Sequence, residues 1–235
     1  MKRLLRSRRG IVGIEAAIVM IAFVVVAAAF AFMVVNMGLT STQRSQEAIA
    51  QGLKEASCPL TIDGSILLKS DENYPNNVSV IIIPLKTLGV KYVPMWTNET
   101  VVSIKIGSRV ALANIYAGIN HTLDPTALSF SYIIANLTSD GGHLRSWWES
   151  LNSTSGYNFT PANQTGAVLV IENDNGDDSL DFFEKGYLII CLGAEHRAIP
   201  RDSVLIEIRP EKSAPLSVSF TVPEAIPPNS YVTLE

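Results

Sequence analysis

A run of twenty residues, 16–35, contains no charged or strongly polar side chain and limits what this chain can fold into. At 1.5 Å per residue it forms a helix of about 30 Å, the thickness of the hydrocarbon core of a bilayer. Only 17% of the whole chain is charged, against about 25% in an average soluble domain. These features argue against a soluble single-domain enzyme.

Charge is distributed unevenly around this run. Five of the 18 Lys and Arg residues lie within residues 1–10, which contain no acid. By the positive-inside tendency, this end stays cytoplasmic and the chain after the run is exported. A net charge of −4 argues against nucleic-acid binding. A plain membrane anchor fits this pattern, and so does a secretory signal peptide cleaved near Ala29-Phe30-Ala31.

The junction before the run supports a third interpretation. Arg8-Arg9-Gly10 stands directly in front of it, and Glu15 is the fifth residue counted from Ile11. An acid at the edge of a membrane-length helix is costly and is commonly functional. The alternative is an acid at the level of the lipid headgroups, where its cost is small.

A basic pair, a glycine and then an apolar helix with Glu at its fifth residue resemble the class III signal peptides of type IV pilin-like proteins. Within that superfamily the chain resembles an archaellin, the major subunit of the archaeal flagellum. The segments that carry this resemblance are residues 13–18, 36–43 and 57–65. The resemblance covers about residues 8–65, and it implies a filament with a helical core and an outer immunoglobulin-like β-sandwich.

The resemblance also implies a maturation step. A membrane prepilin-type peptidase would cut between Gly10 and Ile11, and Glu15 would then pair with the Ile11 amine of a neighbouring subunit. A paired buried charge is tolerated, whereas an unpaired one is not. The implied organisation is a signal peptide over 1–10, a polymerisation helix over 11–58 and an outer β domain over 59–235.

The helix is predicted to continue well beyond the apolar run, over residues 11–57. One face of the polar continuation carries small and aliphatic residues at steps of three and four, which is typical of a helix. Pro59 ends it, since the residue before a proline avoids the α region. Many copies of a helix that is apolar all round at one end can bury that end against each other, which favours a filament.

After residue 60 the pattern changes to short β-rich runs separated by Pro, Gly, Asn and Asp, which predicts an all-β sandwich or barrel. Only residues 143–151 suggest a short helix, in which Trp147 and Trp148 serve packing. The predicted fold class is therefore α+β, a long N-terminal helix followed by an all-β immunoglobulin-like sandwich. The predicted strands are 60–69, 78–86, 101–107, 110–117, 128–135, 167–172, 186–192, 204–209, 216–222 and 231–234.

Asn-x-Ser/Thr sequons are more frequent here than the Asn, Ser and Thr content predicts by chance. Such sequons indicate surface positions in an exported protein, so N-linked glycans are expected on residues 98–163, with 166–235 nearer the core or neighbouring subunits. Composition bias is the alternative. The seven are Asn77, Asn98, Asn120, Asn136, Asn152, Asn158 and Asn163.

An acidic segment, residues 172–184, partly matches a calcium loop. The first position is Asn rather than Asp, and the sixth is Asp178 rather than Gly, so an acidic β-turn is the alternative to a weak Ca²⁺ site. The matching residues are Asn173, Asn175, Asp177, Asp181 and Glu184. Cys58 and Cys191 either bridge the helix end to the sandwich or stay as free thiols.

No catalytic constellation is present in the sequence, and no cofactor is required. The interpretation is a self-polymerising subunit of an extracellular filament, held in the membrane only as a precursor. Through the resemblance its task is swimming motility, driven by a motor and export ATPase in other chains. Two alternatives stay open, an archaeal type IV adhesion pilus and a single-pass anchored β-sandwich that binds another molecule.

Overall fold

The computed structural model describes residues 9–56, 58–71, 74, 76–155, 164–211 and 213–234. The chain divides into two compact units, residues 1–53 and 54–235.

The first unit consists of one long helix, α1 (Arg9–Ala56), of 48 residues. It contains no proline, and its Ala, Met and Leu content favours helix. A length of 48 residues corresponds to about 72 Å. The predicted helix over 11–57 is confirmed to within two residues at its start, and residue 57 lies outside the described residues.

The second unit is built on two β-sheets and a short ribbon. The strands are β1 (Leu60–Ile62), β2 (Ile66–Ser70), β3 (Val78–Thr87), β4 (Tyr92–Pro94), β5 (Val101–Ile106), β6 (Val110–Leu112), β7 (Tyr116–Asn120), β8 (Gly166–Glu172), β9 (Ser179–Asp181), β10 (Lys185–Cys191), β11 (Ser203–Arg209), β12 (Leu216–Thr221) and β13 (Tyr231–Leu234). The larger sheet has the order β13-β2-β3-β10-β8-β7, with β1 also on β3. The smaller sheet has the order β12-β11-β5-β6, and β4 and β9 pair as a ribbon.

The larger sheet is buried on both faces. Along β3, Ile81 and Ile83 belong to a core shared with the smaller sheet, whereas Val80 and Ile82 face a second core. Two helices, α2 (Phe130–Thr138) and α3 (His143–Ser155), contribute to this second core. Because side chains alternate between faces, a strand covered on both sides is apolar at nearly every position.

The prediction of a strand over 128–135 is wrong, since residues 130–135 belong to α2. Ser129 caps this helix, and its side chain accepts a hydrogen bond from the backbone N–H of Tyr132. Ile133, Ile134 and Leu137 are buried on one face of α2, and this face has helical spacing. β-Branched content suggested a strand, but the cap and the spacing favour a helix.

Most other predicted elements are present. The predicted helix over 143–151 is confirmed as α3, and Trp148 on it is buried. The run 60–69 forms two strands because the chain turns at Gly64, whose φ of 125° suits glycine. The run 110–117 likewise divides into β6 and the start of β7. The short strands β4 and β9 were not predicted from sequence.

The structure contradicts a disulfide between Cys58 and Cys191, because both are free thiols. Cys58 packs against the core between the two sheets, whereas Cys191 on β10 lies in the core under the helices. The larger sheet therefore separates the two sulfur atoms. Cys58 Sγ donates to the carbonyl of Leu60 instead, at 3.3 Å.

Candidate assembly surface

The apolar surface of α1 has no partner within its own unit. Every described side chain from residue 13 to residue 53 is exposed, and the large apolar ones range from 54% exposure at Val26 to 76% at Phe23. Monomeric proteins rarely leave so large an apolar surface in water. A partner outside this unit must therefore cover it.

Length and composition alone make α1 the one described helix able to cross a membrane. The same criteria also admit signal sequences and buried core helices, so they do not identify what covers it.

The character of α1 changes beyond its middle. Thr40 Oγ1 donates to the carbonyl of Asn36, and Thr42 Oγ1 donates to that of Gly38, both at 2.8 Å. These bonds satisfy polar side chains within the helix itself. One exposed face of this segment carries Phe32, Met33, Asn36, Met37, Thr40, Ser41, Arg44, Ser45 and Ala48.

The predicted cleavage and pairing site lies at the start of α1. Glu15 is on the helix with an exposed side chain. The side chain of Ile11 lies outside the described residues, as do residues 1–8 of the predicted leader over 1–10. Cleavage after Gly10 and the pairing of Glu15 with the Ile11 amine therefore stay predictions.

The described sequons differ in exposure. Asn98 and Asn136 are exposed, whereas Asn77, Asn120 and Asn152 are half-buried. Asn158 and Asn163 lie outside the described residues. These differences rank Asn98 and Asn136 as the most accessible described acceptors.

Asn120 differs from the other sequons because its side chain closes a local turn. Its Oδ1 accepts from the N–H groups of Thr122 and Leu123 and from the hydroxyl of Thr122, at 2.8–3.1 Å. The amide nitrogen that would carry a sugar lies 3.5 Å from Nδ1 of His143 on α3. Modification of the folded chain there would require the side chain to leave this arrangement.

The acidic segment binds its own backbone. The buried Glu184 carboxylate accepts from the N–H groups of Asn175 at 3.1 Å and Asp181 at 2.8 Å. Burial raises the pKa of Glu184. Asn175 Nδ2 donates to Asp177 and Asp181, at 3.0 and 3.4 Å.

Asn173, the first residue of the predicted calcium loop, adopts a φ of 60°. Within the described part of the chain, no group of three or more His, Cys, Asp or Glu residues is arranged to hold a metal ion. The Ca²⁺ site stays a prediction, which calorimetry with Ca²⁺ and a chelator tests.

His121 holds the acidic segment to the end of β7, a contact that sequence reasoning missed. Its Nδ1 lies 2.7 Å from Asp174 Oδ2, and its Nε2 lies 3.3 Å from Asp178 Oδ1. Partial burial by itself lowers the pKa of His121, but the hydrogen bonds to the two carboxylates outweigh burial and raise it overall. A separation of more than fifty positions gives no local signal for this contact.

Two further candidates for a nucleophile and a base, Cys191 and His196, are not activated. Burial raises the pKa of Cys191 to about 12, so its thiol is unreactive near neutral pH. His196 Nδ1 lies 2.9 Å from the hydroxyl of Thr165, and burial lowers the pKa of this histidine. The contact between His196 and Thr165 joins two loops, and neither Cys191 nor His196 provides an activated nucleophile.

Sequence comparisons identify a family that covers most of the chain. Residues 10–220 match the archaeal-type flagellin family. A probable flagellin 1 of Aeropyrum pernix is 37% identical over 98% of this chain and 100% of that protein. A probable flagellin 2 of Archaeoglobus fulgidus is 28% identical over 98% of each chain.

Comparison with solved structures supports the fold. The archaeal flagellum of Methanospirillum hungatei strain JF1 matches with a TM-score of 0.54 and 20% identity, over 94% of this chain and 99% of that one. The crystal structure of an archaeal flagellin from Methanocaldococcus jannaschii matches with a TM-score of 0.51 and 14% identity, over 74% of this chain and 94% of that one.

Proposed function

The chain belongs to the archaeal-type flagellin family, and from that premise we propose that it polymerises through α1 after removal of residues 1–10. As a member of this family it is a structural subunit of the archaeal flagellum, an extracellular filament of motility, and not an enzyme. Its self-assembly and its cell-surface location follow from the same membership.

The uncovered apolar surface of α1 carries the proposal. Burial of apolar area contributes roughly 25 cal/mol per Å², and the outer unit satisfies its own apolar strands internally. The helix therefore provides the main unsatisfied apolar surface of the described chain. Packing α1 against copies of itself covers that surface on every side.

The precursor and mature forms differ in what covers the helix. With residues 1–10 attached, the basic residues hold the amino end at the cytoplasmic face of the membrane, and lipid covers the apolar run. Cleavage by a prepilin-type peptidase between Gly10 and Ile11 removes five positive charges and exposes a new amine. The helix is then able to exchange lipid for a bundle of like helices, with Glu15 paired to a neighbouring Ile11 amine.

The proposal includes two further kinds of partner, glycans attached to the outer unit and a motor complex in the membrane. N-linked glycans on the sequons would decorate the outer surface, with Asn98 and Asn136 the most accessible described acceptors. A motor and export ATPase in other chains would supply rotation, which the filament transmits.

Mass spectrometry of filaments sheared from native cells tests this maturation step. We expect an N-terminal peptide that begins at Ile11. Filaments whose subunits keep Arg8-Arg9-Gly10 would contradict the cleavage. A chain found only in the membrane fraction would instead support an anchored binding protein.

Replacement of Glu15 tests the pairing. We expect Glu15→Ala to lower filament yield at least about tenfold, because loss of one partner of a buried ion pair costs about 3–5 kcal/mol. Filament mass per cell, measured by sedimentation after shearing, gives the result. Glu47→Ala is the matched control, since Glu47 is an exposed acid on the polar half of α1. Equal yields from the two variants would exclude the pairing.

A further inference from the structure

The exposure of an asparagine does not by itself decide whether its sequon is open to modification. An Asn-x-Ser/Thr sequon is defined by two groups, the acceptor amide and the hydroxyl two residues further on. A transferase that reads both groups must reach both of them. Asn136 and its hydroxyl residue Thr138 are both exposed. Asn98 is exposed too, but its hydroxyl residue Thr100 is only 1% exposed.

The folded outer unit does not use the hydroxyl of Thr100. Its Oγ1 is buried and has no hydrogen-bond partner among the residues that the structure describes, although the backbone N–H of Thr100 donates to the carbonyl of Trp96 at 2.9 Å. A buried hydroxyl without a partner destabilises a fold, because it loses its water and gains no bond in return. Valine has nearly the same shape without this cost, so the fold alone does not account for a threonine here.

Thr165, in the sequon that begins at Asn163, shows a buried hydroxyl that the fold does use. Thr165 is 4% exposed, and its Oγ1 accepts from the backbone N–H of Gly193 at 2.9 Å. The same oxygen lies 2.9 Å from Nδ1 of His196. The fold therefore gives Thr165 a structural reason to be a threonine, which the described contacts of Thr100 do not.

The position of Thr100 in the chain leaves a period during which its hydroxyl is accessible. Thr100 directly precedes β5, which lies between β11 and β6 in the smaller sheet. Its neighbour Val101 pairs with Arg209 of β11, more than a hundred positions later in the chain. Pairing over such a separation forms slowly, and the smaller sheet is incomplete until β11 has emerged. Residues 98–100 therefore emerge well before the sheet can close beside them.

A sugar on Asn98 is compatible with the closed sheet. Asn98 and its neighbour Glu99 are exposed in the folded unit, so a glycan on Asn98 extends into solvent. The amide and the hydroxyl of this sequon thus end in different surroundings, one outside and one buried. Folding buries the group that the transferase reads and leaves the sugar outside.

From these observations we propose that Asn98 accepts an N-linked oligosaccharide only before the outer unit folds, while the Thr100 hydroxyl is still accessible. Asn98 Nδ2 bonds to the anomeric carbon of a lipid-linked oligosaccharide and loses one proton. The bond from that carbon to the lipid phosphate breaks, and the lipid phosphate leaves with the electron pair. Folding then closes the sequon. The proposal rests on the proposed function, which includes N-linked glycans on the outer unit.

Glycosylation of the folded chain in vitro tests this order of events. The sugar-free full chain, folded and held in detergent, is mixed with an archaeal oligosaccharyltransferase, its lipid-linked oligosaccharide and a synthetic peptide of residues 94–104. We expect Asn98 to be modified at least about tenfold faster in the peptide than in the folded chain, because only locally opened copies of the chain expose Thr100. Asn136 is the control acceptor within the folded chain, and we expect its modification there. Mass spectrometry measures each rate.

The outcomes separate this order of events from the proposed function. Equal rates for Asn98 in the peptide and in the folded chain would overturn the proposal. The proposal also requires a glycan on Asn98 in native filaments, which glycopeptide mapping detects. Filaments with sugars at other sequons and a bare Asn98 would overturn it and leave the glycans of the proposed function intact. Filaments without sugar at any sequon would overturn both, but not polymerisation through α1.

Replacement of Thr100 tests whether its hydroxyl serves modification or the fold. We expect Thr100→Val to abolish modification of Asn98, whereas Thr100→Ser keeps the sequon and its modification. In the sugar-free chain, Thr100→Val should leave the melting temperature of the outer unit unchanged or raised. Thr165→Val is the control and should lower that temperature, because Gly193 and His196 lose a buried partner. A lower melting temperature for Thr100→Val would assign the hydroxyl to the fold and overturn the proposal.

Discussion

The helix α1 and the central sheet of the outer unit are both strongly apolar, yet they bury that surface differently. Val80 to Ile83 in β3 are at most 5% exposed, whereas Val24 to Val26 in α1 are 54–65% exposed. The strand is covered by the smaller sheet on one side and by α2 and α3 on the other. An apolar run thus reveals that burial is needed, but the run alone does not identify which elements or chains provide it.

A charge in the middle of α1 should produce the largest difference between the two regions. We expect Val25→Asp to abolish filaments, because burying an unpaired carboxylate costs several kcal/mol for every copy. The outer unit should keep its melting temperature, since Val25 is 62% exposed in the single chain. Electron microscopy of cells and thermal melting of the detergent-held full chain measure the two effects. Val25→Leu serves as the control. Formation of filaments by Val25→Asp would contradict the burial of this part of α1 between copies.

Truncation of one isoleucine in each region gives the next largest difference. Ile82 is fully buried in β3 and Ile21 is 64% exposed in α1. We expect Ile82→Ala to lower the free energy of unfolding of the outer unit by about 2–5 kcal/mol. Ile21→Ala should leave that free energy unchanged and instead make filaments dissociate at lower temperature. Denaturant unfolding of the detergent-held chain checks the first effect, and heating of filaments checks the second. Equal unfolding free energies for the two variants would contradict this division.

The contact between His121 and the acidic segment predicts a modest pH effect confined to the outer unit. A folded-state pKa raised above the unfolded value stabilises the fold below the unfolded pKa, and this stabilisation is lost as pH rises through the folded pKa. The side chain is 35% exposed, so we expect the melting temperature to fall by no more than about 4 °C between about pH 6 and about pH 9. His121→Gln, which carries no titrating charge there, isolates this effect from that of His196. An identical pH dependence in the variant would exclude the contact.

The smallest expected effect is a difference in the chemical reactivity of the two thiols, with no change in stability or assembly. We expect iodoacetamide at mildly alkaline pH to modify Cys58 in the folded chain and to modify Cys191 only in denaturant, because burial raises the pKa of Cys191. Peptide mapping by mass spectrometry locates the label. A mass loss of two hydrogens that a reductant restores would instead reveal a disulfide.

Sequence reasoning succeeded where a pattern is local. The twenty apolar residues and Pro59 predicted α1 closely, and most strands matched their β-rich runs. It failed at 128–135, where β-branched residues outweighed a helical spacing that was already visible in Phe130, Ile133, Ile134 and Leu137.

Long-range contacts were beyond the reach of a single sequence. Nothing local indicates that His121 meets Asp174, or that the central sheet separates the two cysteines. The ribbon of β4 and β9 was missed because each strand has only three residues, too few to show a period. The cleavage site, Glu15 pairing and glycan occupancy depend on chemistry that one folded copy does not contain.

The absence of a partner for α1 within its own unit has a consequence for growth. Copies joined head to tail leave two unlike ends, and at each end part of the helix surface is uncovered. At an end seated in a bilayer, lipid covers that surface, whereas at the free tip water faces it. If copies are added at the membrane, as the proposed maturation requires, each addition creates no new apolar surface in water, so the thermodynamic cost of an exposed tip is incurred once and does not grow with the length of the filament.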